Sequence, residues 1–146
     1  MERALIAVVL ALVAVAVAWV LQRRHQPDAP PRTAYPVPQQ VDRDDFDRPG
    51  APWLVLVFSS ATCDACAGVW DKARHLASDA VAVHEVEHVA HRALHDRYGI
   101  EAVPTTLVID ADGVVHASFL GPVTATDLWA AVAEAREPGS TPDACR

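Results

Sequence analysis

The sequence predicts an α/β domain whose central sheet is partly parallel and partly antiparallel, with helices on both faces and one transmembrane helix in front. Three observations carry this. Residues 53–58, WLVLVF, form a continuous apolar run of the kind buried on both faces of a sheet. Strand-like and helix-like periodicities then alternate down the chain. At the front, residues 4–21 read ALIAVVLALVAVAVAWVL, 18 apolar residues without interruption. Roughly 20 such residues span a bilayer.

That front segment is apolar on every face, which a core helix of so small a soluble domain is not. Trp19 suits an interfacial anchor. A cleaved signal peptide is the competing reading, with Ala14, Ala16 and Ala18 as small residues for a cleavage site. Against it, Glu2 offsets Arg3 in front, and Arg23-Arg24 follow the run at once. An uncleaved anchor over residues 1–25 is therefore expected. The positive-inside rule, counting Arg23, Arg24 and Arg32 against Arg3 and the amino terminus, puts the large domain on the cytoplasmic side. Residues 26–40, QPDAPPRTAYPVPQQ, hold five of the eleven prolines and read as a semi-rigid spacer. The globular domain is expected over 41–137, with a tail at 138–146.

Composition excludes one class of partner. The chain has 146 residues, 12 Lys+Arg against 19 Asp+Glu, and a net charge of -7. Nucleic acid needs a basic face to neutralise phosphates, and this chain lacks one. The three cysteines cannot all pair within one chain, so they do not describe a disulfide-stapled scaffold. Structural zinc sites want four ligands, commonly from two CxxC pairs, and only one CxxC is present.

The elements follow in order. Asp42 can cap a short helical turn reaching Phe46. The strand at 53–58 contributes Trp53 and Phe58 to the core. From Cys66 onward, Val69/Trp70, Ala73 and Leu76/Ala77 recur at helical spacing, which makes Trp70 a core residue first and a substrate contact second. AVAVHEV (80–86) predicts a strand, and residues 88–99, ending at Gly99, predict a helix. TTLVI (105–109) and VVHASF (114–119) are strands joined through Asp112-Gly113, a strong hairpin signal. Asp110 and Asp112 flank that turn and need no catalytic role. Thr124 and Asp127 resemble a capping box ahead of a last helix with Leu128, Ala131/Val132 and Ala135 on its apolar face.

The chemistry centres on Cys63 and Cys66, a CxxC placed after a buried strand and at the start of a helix. A helix N-terminus presents unpaired N–H groups and about half a positive charge. Free cysteine titrates at about 8.5, and thiols in such settings fall to roughly 3.5–7.5. Cys63, nearest the helix start and the solvent, is the attacking sulfur. Cys66, one turn further in, resolves the mixed disulfide. Among the histidines, His88, His91 and His95 would share one face of the helix expected at 88–99, with His84 close by. Metal binding there would need a fourth converging ligand, so no metal is assigned. Cys145 reads as a passive exposed thiol, with a mixed disulfide to Cys63 as the alternative.

Apolar strand, CxxC, helix, strand, helix, then VPTTLVID, ADG, VVHASFLG and a last amphipathic helix: over residues 41–137 this order resembles the thioredoxin family. Val-Pro-Thr at 103–105 makes the match far more specific than CxxC alone. The resemblance implies a thioredoxin-like three-layer fold with Pro104 in the cis form beside the Cys63–Cys66 pair. It also implies thiol–disulfide exchange with protein substrates and an electron donor that the sequence does not name. No organic cofactor is implied. Val103 and Pro104, with Thr62 and Asp64 flanking the nucleophile, would shape the substrate groove. A tethered binding or metal-delivery module without exchange activity is the alternative reading.

The chain also departs from the family. Thr62 stands where a Trp usually precedes the first cysteine, and Asp64-Ala65 separate the pair. Many members carry a buried acid in the strand under the site. The matching stretch, WLVLVF, is wholly apolar, with Val57 at that position, which leaves a water as candidate acceptor of the Cys66 proton. An acid between the cysteines and an N-terminal anchor are also similar to the membrane-tethered thiol reductases of cytochrome c maturation. Those carry a mid-fold insertion for which residues 86–103 leave little room. Asp64 sets negative charge beside the sulfur that must ionise, which raises a thiol's pKa. A strong oxidant needs a stabilised reduced form, so the pair is expected to be more reductant than oxidant. Equilibration with glutathione should place its potential well below about −120 mV, and a value near that figure would contradict the argument.

Overall fold

The apolar run becomes strand β1, Trp53–Ser59, and every residue from Leu54 to Ser59 is buried. The computed structural model describes residues 35–140. The apolar run at 4–21, its arginine flank and Cys145 lie outside the described residues. Among the described residues, no helix is long and apolar enough to cross a membrane.

β1 pairs on both sides. It runs parallel to β2, Val81–Glu87, from Trp53↔Val81 to Ser59↔Glu87. It runs antiparallel to β3, Thr105–Asp110, with Phe58 opposite Thr105. β3 turns back into β4, Val115–Leu120, giving a mixed sheet of order β2-β1-β3-β4. Alternation along β1 feeds two cores. Leu54, Leu56 and Phe58 meet Phe46, Leu107 and Ile109, covered by Leu94 of helix α2 (Arg92–Arg97) and by Tyr98. Val55 and Val57 face the other way. They pack on Val69 and Ala73 of α1 (Asp64–Ala73) and share their core with Leu128 and Val132 of α3 (Ala125–Arg136). Full burial of such side chains contributes about 1.5–3 kcal/mol each. Helices thus cover both faces of a mixed sheet, as expected.

The caps follow the sequence reading. Asp44 N–H donates to Asp42 Oδ1 at 3.1 Å, opening a short 3-10 turn, Arg43–Asp45. Asp127 N–H donates to Thr124 Oγ1 at 3.1 Å, and the Thr124 hydroxyl returns a bond to Asp127 Oδ2 at 2.7 Å.

One element differs. The helix expected over 88–99 begins only at Arg92, and residues 88–91 form turns. The Glu87 carboxylate captures the N–H groups of Val89 and Ala90, both at 2.9 Å. A side chain that satisfies these donors offers the backbone an alternative to the helix.

The end of the proline-rich stretch joins the fold. Val37 packs against the first core, Gln40 bridges Val114, and Val115 N–H donates to the Gln39 carbonyl at 3.0 Å. Val41 N–H donates to the Gly113 carbonyl at 2.8 Å. The incoming chain is therefore laid against the tip of the β3–β4 hairpin. Gly113 has φ +82, and a Cβ there would lie 2.0 Å from the Val41 carbonyl oxygen. Left-handed backbone alone costs a non-glycine residue roughly 1–2 kcal/mol, and the collision adds to it. Gly113→Ala is expected to lower the urea midpoint by more than that equivalent with an unchanged denaturant slope. An unaltered midpoint would show that the chain entry is not pinned at this hairpin.

Candidate redox site

After β1 the chain makes a tight turn. Cys63 N–H donates to the Ser60 carbonyl at 3.0 Å, and the Ser60 and Thr62 hydroxyls share a 3.1 Å hydrogen bond. Cys63 then takes the N-cap of α1 in extended backbone, φ −101 and ψ 106, and its carbonyl accepts from Cys66 N–H at 3.2 Å. The helix forms because Cys66, Val69 and Ala73 repeat on one buried face. Cys66 is 2% exposed, while Cys63 is half-buried and Asp64 and Thr62 are exposed. The two cysteines are joined by a disulfide across a Cα separation of 5.4 Å. One cysteine thus sits half-buried at the positive end of a helix, with its partner fully buried one turn on.

The same end of the sheet gathers the other expected residues. Phe58 pairs with Thr105, so the residues just before β3 emerge beside the turn that carries Cys63. The Val103–Pro104 peptide bond is cis. Pro104 is buried, and its carbonyl accepts from Gly121 N–H at 2.8 Å. The Thr105 hydroxyl donates to the Ala102 carbonyl at 2.7 Å, tightening the loop. Val103 is half-buried, and a cavity of about 200 Å³ opens beside it, lined also by Ser60, His88, His95, Ile100 and Glu101. Trp70 packs against the second core. Thr62 and Asp64 stand on the cysteine side of this end, and Val103 and Pro104 on the sheet side.

The histidines do not form one helix face. With α2 starting at Arg92, His88 and His91 precede it and only His95 lies within it. The rings pair instead: His84 with His91 at 6.0 Å and His88 with His95 at 4.8 Å between centroids. Among the described residues, no group of three His, Cys, Asp or Glu side chains is placed to hold a metal ion.

Three side chains at this end carry no role in the sequence reading. Glu87 ties two loops together, accepting from Ala61 N–H at 3.1 Å as well as from Val89 and Ala90. Those N–H groups, Ala90 first, hold its carboxyl below the usual carboxylate range. His95, 2% exposed, meets the Val86 carbonyl through Nε2 at 2.8 Å and stands edge-on to Phe58. Glu85 accepts a 2.7 Å hydrogen bond from the buried Ser59 hydroxyl. The alternation in AVAVHEVE is the available signal, since it puts Glu85 and Glu87 on the side of Val81 and Val83.

No family model matches the chain, and no curated protein matches it either. Solved structures do. A mutant thioredoxin of Halobacterium salinarum NRC-1 is 23% identical with a TM-score of 0.51, over 63% of this chain and 80% of that one. Chloroplastic thioredoxin z is 18% identical with a TM-score of 0.53, over 58% and 79%. A malarial protein is 20% identical with a TM-score of 0.50, over 57% and 96%. The chain has the thioredoxin fold. The thioredoxin fold accounts for the mixed sheet and for the helix that follows β1. At this level of identity it leaves the chemistry to be argued from the residues.

His95 supplies a pH test of the packing behind the site. Burial, first of all, lowers its pKa from the usual 6.5, although the Val86 carbonyl favours the charged ring. Below 6.5 the unfolded chain binds a proton that the folded chain resists. Stability is therefore full above that value and falls as pH drops through it. His95→Gln is expected to flatten the loss of urea stability between about pH 7 and pH 5. Equal slopes in wild type and variant would mean that His95 is not held neutral.

Proposed function

We propose that this protein is a membrane-anchored thiol–disulfide oxidoreductase that reduces disulfides in protein substrates. The observation that carries the reading is the Cys63–Cys66 disulfide, with Cys63 at the N-cap of α1 and Cys66 buried below. In the reduced protein, the Cys63 thiolate attacks a substrate disulfide and forms a mixed disulfide. Cys66 then attacks Cys63, the substrate leaves as a dithiol, and the pair closes to the bond seen in the structure. A separate electron donor reopens it.

The groove fits an extended polypeptide. Among the described residues, the Val103 backbone makes no hydrogen bond, so its N–H and carbonyl are available to a client strand. Pro104 brings no N–H donor to the site, and Thr62 and Asp64 border the nucleophile from the helix side. Residues 4–21 serve as the anchor, with the domain on the cytoplasmic side as the arginine distribution directs.

Insulin reduction with dithiothreitol tests the chemistry. Wild type should accelerate it, and Cys63→Ser should fall to the uncatalysed rate. Cys66→Ser should accumulate mixed disulfides with clients, visible on non-reducing gels. In intact cells, externally added protease should leave the domain uncut. A wild type no faster than dithiothreitol alone would end the redox reading, and cleavage from outside would reverse the topology.

A further inference from the structure

The cavity beside Val103 has a chemistry that the exchange reaction leaves unused. Its volume of about 200 Å³ lies below the roughly 300–1,000 Å³ of small-molecule sites, so it suits a single side chain. Three parts of the chain wall it. Ser60 belongs to the turn that seats Cys63, whose N–H donates to the Ser60 carbonyl at 3.0 Å. His88 follows β2 at once, and its N–H donates to the Ser59 carbonyl at 2.9 Å. Ile100 to Val103 close the other side, tied to α2 where Ile100 N–H donates to the His95 carbonyl at 2.9 Å.

His95 is the buried member of the wall. A carbonyl only accepts, so Nε2 carries the hydrogen in its 2.8 Å bond to Val86. Burial holds the ring neutral, which leaves Nδ1 as a bare acceptor. Among the described residues, the enclosed side-chain nitrogens and oxygens without partners are Arg43 Nε, His91 Nδ1 and Thr106 Oγ1. His95 Nδ1 is not one of them, yet it has no hydrogen-bond partner. It therefore reaches open space, and the space that His95 borders is this cavity. At the mouth, Glu101 is exposed and, among the described residues, has no hydrogen-bond or ion-pair partner. No lysine or arginine lines the cavity. A bare imidazole nitrogen and a free carboxylate together complement N–H donors that carry positive charge.

We infer that this cavity is a specificity site for a lysine or arginine side chain of the client, two or three positions from the client's reactive cysteine. This rests on the redox function proposed above and names the clients it favours. An extended strand laid along Val103 advances about 3.3 Å per residue, so such a side chain starts roughly 7–10 Å from the cysteine joined to Cys63. Its apolar stem lies against Ile100 and Val103, and its charged end donates to His95 Nδ1 and pairs with Glu101.

The test uses the full chain in detergent, reduced, and short alanine peptides that carry one cysteine as its mixed disulfide with thionitrobenzoate. One residue, two or three positions to either side of the cysteine, is lysine, acetyl-lysine or glutamate. Attack by Cys63 on the peptide sulfur releases the coloured thiolate. In at least one placement the lysine peptide should react about fivefold faster than its acetyl-lysine twin, through a lower KM. The ratio is taken within each protein, which cancels any change in Cys63 reactivity. Glu101→Gln should bring it within about twofold of unity, and Glu101→Lys should turn the preference towards glutamate. Asp112→Asn, at the hairpin tip, should keep the wild-type ratio. Equal rates for lysine and acetyl-lysine in every placement overturn the inference. So does a full lysine preference in Glu101→Gln, which would trace it to the overall charge of the chain. A wild type that releases no thiolate from any peptide overturns the redox reading itself, and this site with it.

Discussion

The structure depends on a strand buried on both faces that ends where a helix begins. Because β1 is covered by α1 on one side and by α2 and the 3-10 turn on the other, its last residues have one way out, at the end of the sheet. The chain reverses there within four residues, and the reversal places Cys63 at the N-cap. The helix dipole then acts on a sulfur that packing, and not the sulfur's own chemistry, has put in position. The loop before β3 and Gly121 after β4 converge on the same end because β3 pairs antiparallel with β1 and β4 with β3.

Acids surround this end. Asp64 lies in the first turn of α1, Glu85 lies on β2 opposite Val57, and Glu87 braces the turn that precedes Cys63. The three have different partners. Asp64 is exposed, where water screens its effect on the nearby sulfur. Glu87 is held by amide dipoles. Glu85 shares a hydroxyl with a buried serine.

Much of this is legible in the residues. WLVLVF between Pro52 and a serine pair suits a doubly covered strand, Asp112-Gly113 marks the hairpin, and Thr124 with Asp127 marks the start of the last helix. Each is a local signal read within a few positions. The CxxC is legible for the same reason, since its spacing suits one helical turn. What escapes depends on distance in sequence. The Ser59–Glu85 bond joins residues 26 apart and needs the β1–β2 register to be known. The turn at 88–91 reads as helix because its residues carry helical spacing, yet Glu87 intercepts the amides that a helix would use. The histidine face fails with it, since a shared face exists only if the helix does.

The segment Gln39–Val41 is stitched to the hairpin tip, at the pole of the sheet remote from Cys63. The loops around Cys63 and Val103 carry none of the hydrogen bonds of that seam, so loosening of the seam leaves the turn that seats the disulfide intact.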